Sequence, residues 1–462
     1  MLREWRSCRT PLMLASSHGH LDVVKLLIDR GATVNDKDMD GWTALHLAAG
    51  NGQVVVVTLL LERGAGLRAK SNTGRTPLIL ASFHGHLDVV KLLIDRGTPV
   101  NDKDMDGWTA LHLAAENGQV VVVTLLLERG ADLTAKSNTG RTPLMLASYN
   151  GHSGVVKLLI DRGAPVNDKD MDGWTALHLA AENGQVVVVT LLLERGADLT
   201  AKSNTGRTPL MLASYNGHSG VVKLLIDRGA PVNDKDMDGW TALHLAAENG
   251  QVVVVTLLLE RGADLTAKSN TGRTPLMLAS YNGHSGVVKL LIDRGAPVND
   301  KDMDGWTALH LAAENGQVVV VTLLLERGAD LTAKSNTGRT PLMLASYNGH
   351  SDVVKLLIDR GAPIDDKDIG GYTALHDAAR NGHIGVVNLL LERGADLKAR
   401  TLYNETPLIV ASSKGHLDVV KFLIDRGAPI NDMDVTGWTA LRYSKNYGKK
   451  SSDYLESKGG IE

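Results

Sequence analysis

Apolar and polar positions follow each other along the chain in a short cycle that returns many times. In the stretch 153–161 (SGVVKLLID), Val155, Val156, Leu158, Leu159 and Ile160 cover most of a helical circumference. Ser153, Lys157 and Asp161 fall at i, i+4 spacing and leave a narrow polar stripe. The pattern predicts a helix over about 153–162 that is buried on more than one side. Upstream, Thr142 followed by Pro143 predicts an N-cap and first helical position, since the hydroxyl accepts an orphan N–H and proline lacks the donor that would be orphaned. That first helix should run to about Tyr149. Asn150-Gly151 then supplies a tight turn, and Gly163 a C-terminal stop. The segment 164–173, with Pro165 and Asn167, reads as an extended excursion closing in a turn.

The same plan recurs one step later, where Gly173-Trp-Thr-Ala-Leu177 answers Gly140-Arg-Thr-Pro-Leu144 at a distance of 33 residues. Two flavours alternate, and the pair Gly140 to Thr205 is repeated without change at 206–271 and 272–337. In the second flavour Gly184 is the inter-helix turn, Gly196 the stop, and Val186 to Val189 opens the second helix. Four valines alone favour a strand. The frame decides for helix, because Val188-Val189-Thr190-Leu191-Leu192 aligns with Val155-Val156-Lys157-Leu158-Leu159. Units of the second flavour open at Gly41, Gly107, Gly173, Gly239, Gly305, Gly371 and Gly437. Those of the first open at Arg9, Gly74, Gly140, Gly206, Gly272, Gly338 and Asn404. The expected organisation is a lead-in over 1–8, thirteen repeats over 9–436 and a truncated last repeat over 437–462. Helices of about ten residues are marginal alone, so stability must come from stacked neighbours, with about three units the smallest sensible fragment.

The order Gly-x-Thr-Ala/Pro-Leu-His-x-Ala-Ala, then Asn-Gly, then Val-Val-x-Leu-Leu-Leu-x-x-Gly-Ala resembles the ankyrin repeat in residue type, order and period, from Arg9 to Thr436 and into the last unit. The resemblance implies an all-α repeat solenoid: a curved, elongated stack of antiparallel helix pairs with projecting β-hairpin-like loops. In the last unit Leu441-Arg442-Tyr443-Ser444 replaces Leu-His-Leu-Ala. Lys449-Lys450-Ser451-Ser452-Asp453 replaces the valine run, so polar residues are expected on a capping face and the array is expected to end there. No equally convincing cap is legible at the N-terminal end.

Composition changes this picture little. A length of 462 residues would suggest about three domains at roughly 150 residues each, but a stack needs no central core. Phenylalanine occurs only at Phe83 and Phe422, which suits thin layers of Leu, Val and Ala. A formal net charge of −3 argues against a nucleic-acid partner. Cys8 is the only cysteine, so no internal disulfide forms. The charged start and the absence of a long apolar run predict a soluble, reducing, intracellular setting, cytoplasmic with the nucleus as the alternative, and no membrane insertion. The sequon at Asn404 is then incidental.

Three constellations imitate chemistry. Asp168-Lys-Asp170-Met-Asp172-Gly173 matches the first half of a calcium loop, but the position of its bidentate Glu is Leu179. It reads as an acidic hairpin, with a calcium-responsive module as a third-ranked function. His46, His112, His178, His244, His310 and His376 stand 66 residues apart, too far to share a metal. The resemblance gives them a structural role, tying the Thr-x-Leu-His turn to neighbouring backbone. Met145 and Ile79 hold that position in the other flavour, so those turns are expected to lack the tether and rely on proline rigidity. A second set, including His152 and His218, follows the inter-helix glycine. No nucleophilic triad and no phosphate loop can be assembled, so no enzyme activity, cofactor, metal site or small-molecule substrate is expected.

What remains is surface. The resemblance implies protein binding on the concave side, built from hairpin tips and the first helix. Here that means Met171, Asp172, Trp174, Glu182 and Asn183 in one flavour, and Lys202, Asn204, Thr205, Arg207, Tyr215 and Asn216 in the next. Trp42, Arg75, Trp108, Arg141, Trp174, Arg207, Trp240, Arg273, Trp306 and Arg339 alternate at one position. Neighbouring Trp and Arg are expected within reach of a cation–π contact; they either brace adjacent hairpins, the preferred reading, or form a periodic docking ladder. A partner on such a ladder is expected to be an extended or repetitive protein. Val187 and its equivalents Val55, Val121, Val253 and Val319 suggest an apolar convex stripe, with partial burial between helices preferred. Asn167, eight residues after Leu159, resembles an asparaginyl hydroxylation site. Function encoded locally is expected where copies diverge, at Tyr372, Asp377, Arg380, Asn404 and Glu405. The favoured function is a monomeric, non-catalytic scaffold or adaptor. The alternative is the recognition arm of a larger protein, such as a ubiquitin-ligase adaptor, kinase or channel.

Overall fold

In each repeat the backbone follows the caps. Thr142 is extended, and its Oγ accepts the Met145 N–H at 3.3 Å while Pro143 occupies the first turn. Thr175 does the same for His178 at 3.4 Å. The first helices are Pro143–Tyr149 and Ala176–Glu182, and the second helices are Ser153–Asp161 and Val186–Glu194, close to the expected bounds. The four valines are helical, because Val188, Val189 and Leu192 enter the buried side of a helix already framed by its neighbours.

The computed structural model describes residues 8–447 and 451–462. The first seven residues of the lead-in and the Lys449-Lys450 pair of the expected cap lie outside them. Among the described residues there are 28 helices and no strand, with one isolated bridge between Met433 and Thr439. No helix among them is long and apolar enough to cross a membrane. The fold is an all-α repeat solenoid, and its chain divides into two compact units, 1–231 and 232–462.

Within the first unit each first helix packs on the first helices before and after it and on its own second helix. Pro143–Tyr149, for example, touches Ala110–Glu116, Ala176–Glu182 and Ser153–Asp161. Second helices touch their neighbours less extensively. The second unit repeats this from Ala242–Glu248 onward. Within the first unit the core is a thin layer in which Leu144, Met145, Leu177, Leu179, Val155 and Val188 are all essentially without solvent contact.

Between helix pairs the chain makes a two-armed excursion. Asp170 N donates to the Trp174 carbonyl at 2.9 Å and Gly173 N to that of Asp170 at 3.0 Å. Successive tips bond sideways, Met171 N to the Thr139 carbonyl at 3.0 Å and Asn204 N to that of Asp172 at 2.9 Å. Gly173 has φ +78°, and a Cβ there would lie 2.6 Å from Asn204 Oδ1, so left-handed backbone and close approach both call for glycine.

The last helices, Ala440–Tyr447 and Ser452–Ser457, show why the valine run could be dropped. Ser444 and Ser451 are buried and hydrogen-bond each other at 2.6 Å, so part of the polar substitution faces inward. Arg442, Lys445 and Asp453 are the exposed replacements.

One expectation is overturned here. Val187 is 68 % exposed, and Val55, Val121, Val253 and Val319 are similarly open, instead of half-buried between helices. The residue at the equivalent position of the preceding helix does not decide it: Gly154 precedes Val187, but Asp22 and Asp88 precede Val55 and Val121, which are 62 % and 61 % exposed.

Candidate functional site

The turn histidines build the frame of the first-helix face. His178 Nε2 lies 3.1 Å from the Arg207 carbonyl of the next repeat, which can only accept, so Nε2 carries the proton. Nδ1 is therefore the acceptor for Thr175 N–H at 3.2 Å and meets Thr175 Oγ at 2.9 Å. His46, His112, His244, His310 and His376 repeat this, with Nε2 at 3.0 or 3.1 Å from a carbonyl one repeat on. Burial pushes each of the six down to about 4, against a smaller opposing pull from that carbonyl. The tether implied by the resemblance is present.

Turns with Met or Ile at this position show no such bond to the next repeat among the described residues, and their repeats are tied to their neighbours by other groups. Met145 Sδ accepts the Thr142 N–H at 3.4 Å. The second histidine set then bonds backward: His152 Nε2 donates to the Glu116 carbonyl and His218 Nε2 to that of Glu182, both at 2.9 Å. Each Trp-bearing repeat and the Arg-bearing repeat after it are thus joined by two histidines running in opposite directions. The other junction uses different groups. Asn167 Nδ2 donates to the Gly196 carbonyl at 3.1 Å and Oδ1 accepts from Asp198 N at 2.9 Å, while Arg195 pairs with Asp161. Sequence spacing located the second histidine set but held no signal for its partner, which is a carbonyl 36 residues earlier.

On this frame the expected site residues separate into two groups. Asn183 Nδ2 donates to its own helix end at Leu179, and Asn204 Nδ2 to the Met171 carbonyl of the preceding tip, so both serve the scaffold. Asp170 is buried and accepts from Trp174 N at 2.8 Å and Asp172 N at 3.0 Å, which anchors the hairpin with the central carboxylate of the calcium-loop imitation. Met171, Asp172, Lys202 and Tyr215 are exposed, while Trp174, Glu182, Arg141 and Arg207 are half-buried along the same edge. Burial raises the Glu182 carboxyl, with Arg141 pulling the other way.

The expected Trp–Arg contacts are replaced by others. Trp174, Trp240 and Trp306 pack on the histidine of their own turn, with ring centres 6.2 to 6.3 Å apart. Trp108 does so edge-on at 5.9 Å. The guanidinium groups of Arg207, Arg273 and Arg339 lie over Tyr215, Tyr281 and Tyr347 at 5.9, 5.9 and 5.0 Å. Arg141 and Arg273 also approach the hairpin carboxylates of Asp170 and Asp302 at 3.7 and 3.6 Å. The physical cause is reach: each guanidinium runs back along its own first helix to the tyrosine at its far end, and each indole covers the histidine one turn below it.

The divergent repeat changes this face. Tyr372 OH donates to Glu405 Oε2 at 2.7 Å and its ring receives Arg380 at 5.7 Å. Asp377, buried where the copies have Leu179, pairs with Arg339. Burial outweighs that pairing and lifts the Asp377 carboxyl to about 6.

Comparison with known sequences agrees with the geometry. A family model described as ankyrin repeats (3 copies) matches residues 3–71, 64–137, 134–203, 200–269, 267–335 and 332–401. A second, described as ankyrin repeats (many copies), matches 399–444. No curated protein matches the chain. With helix pairs, turn histidines and hairpins recurring in register beneath those matches, the chain belongs to the ankyrin-repeat family.

Proposed function

We propose that this chain is a non-catalytic scaffold or adaptor that binds protein partners on its first-helix face, with the hairpin tips as one rim. Ankyrin repeats are generally protein-interaction modules. The observation that carries the reading is the division of labour along that face. The side chains that join repeats, the buried turn histidines and the exposed Asn167 alike, are engaged by the backbone of a neighbouring repeat, while Met171, Met237 and Met303, 69 to 70 % exposed, stand outward at every second tip. Beside them run Trp174, Arg207 and Tyr215 and their equivalents, residue types favoured at binding hot spots. Because outward residues recur with the period of the fold, the matching partner is an extended or repetitive protein, bound by a monomer in the cytoplasm.

Mutating Trp174, Trp240 and Trp306 together to alanine tests this. Partner proteins captured by the intact chain should be lost while the helical circular dichroism spectrum persists. Retention of the captured proteins at unchanged affinity overturns the reading. Asn167 is a further proposed target, for asparaginyl hydroxylation. Its side chain is exposed and both amide atoms are engaged by the next repeat, leaving the Cβ as the place for an added oxygen. Intact mass after incubation with the hydroxylase should show that oxygen, and an unchanged mass removes the proposal.

A further inference from the structure

The hairpin tips of the last repeats differ from every other stretch of that rim. In the identical copies an exposed methionine tip alternates with a polar tip, such as Asn336-Thr337. In the last repeats the polar tip is replaced by Leu402-Tyr403, 72 % and 60 % exposed, between Ile369 at 67 % and Val435 at 64 %. Backbone bonds hold these tips side by side. Leu402 N donates to the Gly370 carbonyl and Val435 N to the Tyr403 carbonyl, both at 2.9 Å. The tips are therefore about one strand spacing apart, roughly 4.8 Å, and four large apolar side chains form one uninterrupted exposed patch. Asn404, at φ +60°, keeps the turn where the copies have glycine and donates to the Met433 carbonyl at 2.7 Å.

Charge changes in the same place. The three tips 365–370, 400–405 and 431–436 carry six carboxylates against two cations, a difference of −4. The equivalent tips one super-repeat earlier, 299–304, 334–339 and 365–370, carry six against four, a difference of −2. Two replacements produce much of the change: Glu405 stands where Arg339 stood, and Met433 where Lys367 stood. Most of these carboxylates already accept bonds within their own loops, so they act on a partner through their summed field.

We propose that the tips around Ile369, Leu402, Tyr403 and Val435 form a docking patch for a protein segment that presents an aliphatic anchor flanked by lysine or arginine. Apolar contact supplies the hold and the acidic surround selects a basic segment over an acidic one. The inference deepens the protein-binding reading by naming a place and a partner chemistry, and it does not need the Trp positions.

The probe is a short fluorescein-labelled peptide of alternating leucine and lysine, titrated into the full chain by anisotropy. Controls carry serine for leucine or glutamate for lysine. The test variant is L402N/Y403T, which installs the tip residues of the identical copies and therefore a loop this fold already accepts. The Leu/Lys peptide should bind, both control peptides should bind about tenfold or more weakly, and L402N/Y403T should weaken the Leu/Lys peptide by a similar factor. Equal binding of the Ser/Lys peptide, or no effect of L402N/Y403T, overturns the patch. So does a dimer of the intact chain that L402N/Y403T dissolves, since the occupant is then a second copy. The triple Trp variant separates the two readings. Peptide binding lost there and kept in L402N/Y403T defeats the patch alone, while captured partner proteins retained by the triple Trp variant, with peptide binding lost only in L402N/Y403T, defeat the ladder alone.

Discussion

The identical block Gly140 to Thr205 and the divergent block 367–436 have the same skeleton beneath different faces. His178 reaches the Arg207 carbonyl at 3.1 Å, and His376 reaches that of Glu405 at 3.1 Å. Lys169 reaches the Lys202 carbonyl at 2.8 Å, and Lys367 that of Arg400 at 2.9 Å. Asp170 holds Trp174 N at 2.8 Å, and Asp368 holds Tyr372 N at 2.9 Å. In all three the bond across the loop or between repeats ends on backbone, so the side chain at the receiving position can change without loosening the stack. It does change: Tyr372 stands where the copies have Trp174, Asp377 where they have Leu179, Arg380 where they have Glu182 and Glu405 where they have Arg207. The lesson is that the lattice of this fold constrains the few side chains that reach for backbone, the buried His178 and the exposed Lys169 alike, and leaves the receiving positions and even the buried Asp377 open to vary.

Acid should break the lattice and produce the largest effect. Each turn histidine is held neutral, at about 4, against an ordinary value near 6.5. The unfolded chain therefore takes up protons first, and stability falls from about pH 6.5 down to about pH 4. The loss approaches on the order of 3 kcal/mol per histidine once pH reaches the folded value. Junctions held by Asn167 and its equivalents contain no such group. Urea midpoints between pH 7 and 4.5 should fall steeply, and H178M/H244M/H310M, which borrows the methionine of the other flavour, should flatten the slope by about half. An unchanged slope would mean that the histidines are not what acid attacks.

A smaller effect is expected from the divergent core. Asp377 has its folded value raised to about 6 from 3.8, so the stability linked to its neutral form is complete below about pH 4 and lost as pH rises through 6. Restoring the leucine of the copies, D377L, should stabilise by about 1 to 2 kcal/mol at pH 8 and by less at pH 5, because it removes a carboxylate that must be charged while buried, and leaves the partly exposed Arg339 beside a leucine, as Arg273 stands with Leu311 in the copies. Thermal melts at the two pH values check this, and destabilisation at pH 8 would show that the Arg339 pairing is worth more than the burial it requires. The smallest effect belongs to the second-helix surface. V187K should change stability by no more than about 0.5 kcal/mol because the side chain already lies in solvent, a point a single urea titration settles.

Much of the fold was legible in the chain because a 33-residue period aligns weak local signals. Thr142-Pro143 could be read as a cap, and Val186 to Val189 as helix despite its composition, only through their equivalents. The site was less legible for a physical reason. Period says which residues are equivalent, but not how far a side chain reaches or what its neighbour leaves open. Arg207 reaches along its own helix to Tyr215 instead of across to a tryptophan. Val187 and Val121 are both open although Gly154 precedes one and Asp88 the other, so the neighbouring position carries no signal of it. His218 finds a carbonyl 36 residues earlier, a partner without side-chain identity and so without a sequence signature. The tip patch at Leu402-Tyr403 was readable as divergence, but its continuity with Ile369 and Val435 came only from the lateral backbone bonds.

The central claim is that protein partners meet the first-helix face and its hairpin rim. A photo-crosslinking amino acid placed at Met171, at Tyr215 or at the second-helix position Val187 tests it most directly, because all three sites are solvent-exposed and Met171 and Val187 are equally so on different faces. Irradiation in cell extract should give discrete protein adducts from positions 171 and 215 and none from 187. Adducts from 187 alone would contradict the account and move recognition to the opposite surface.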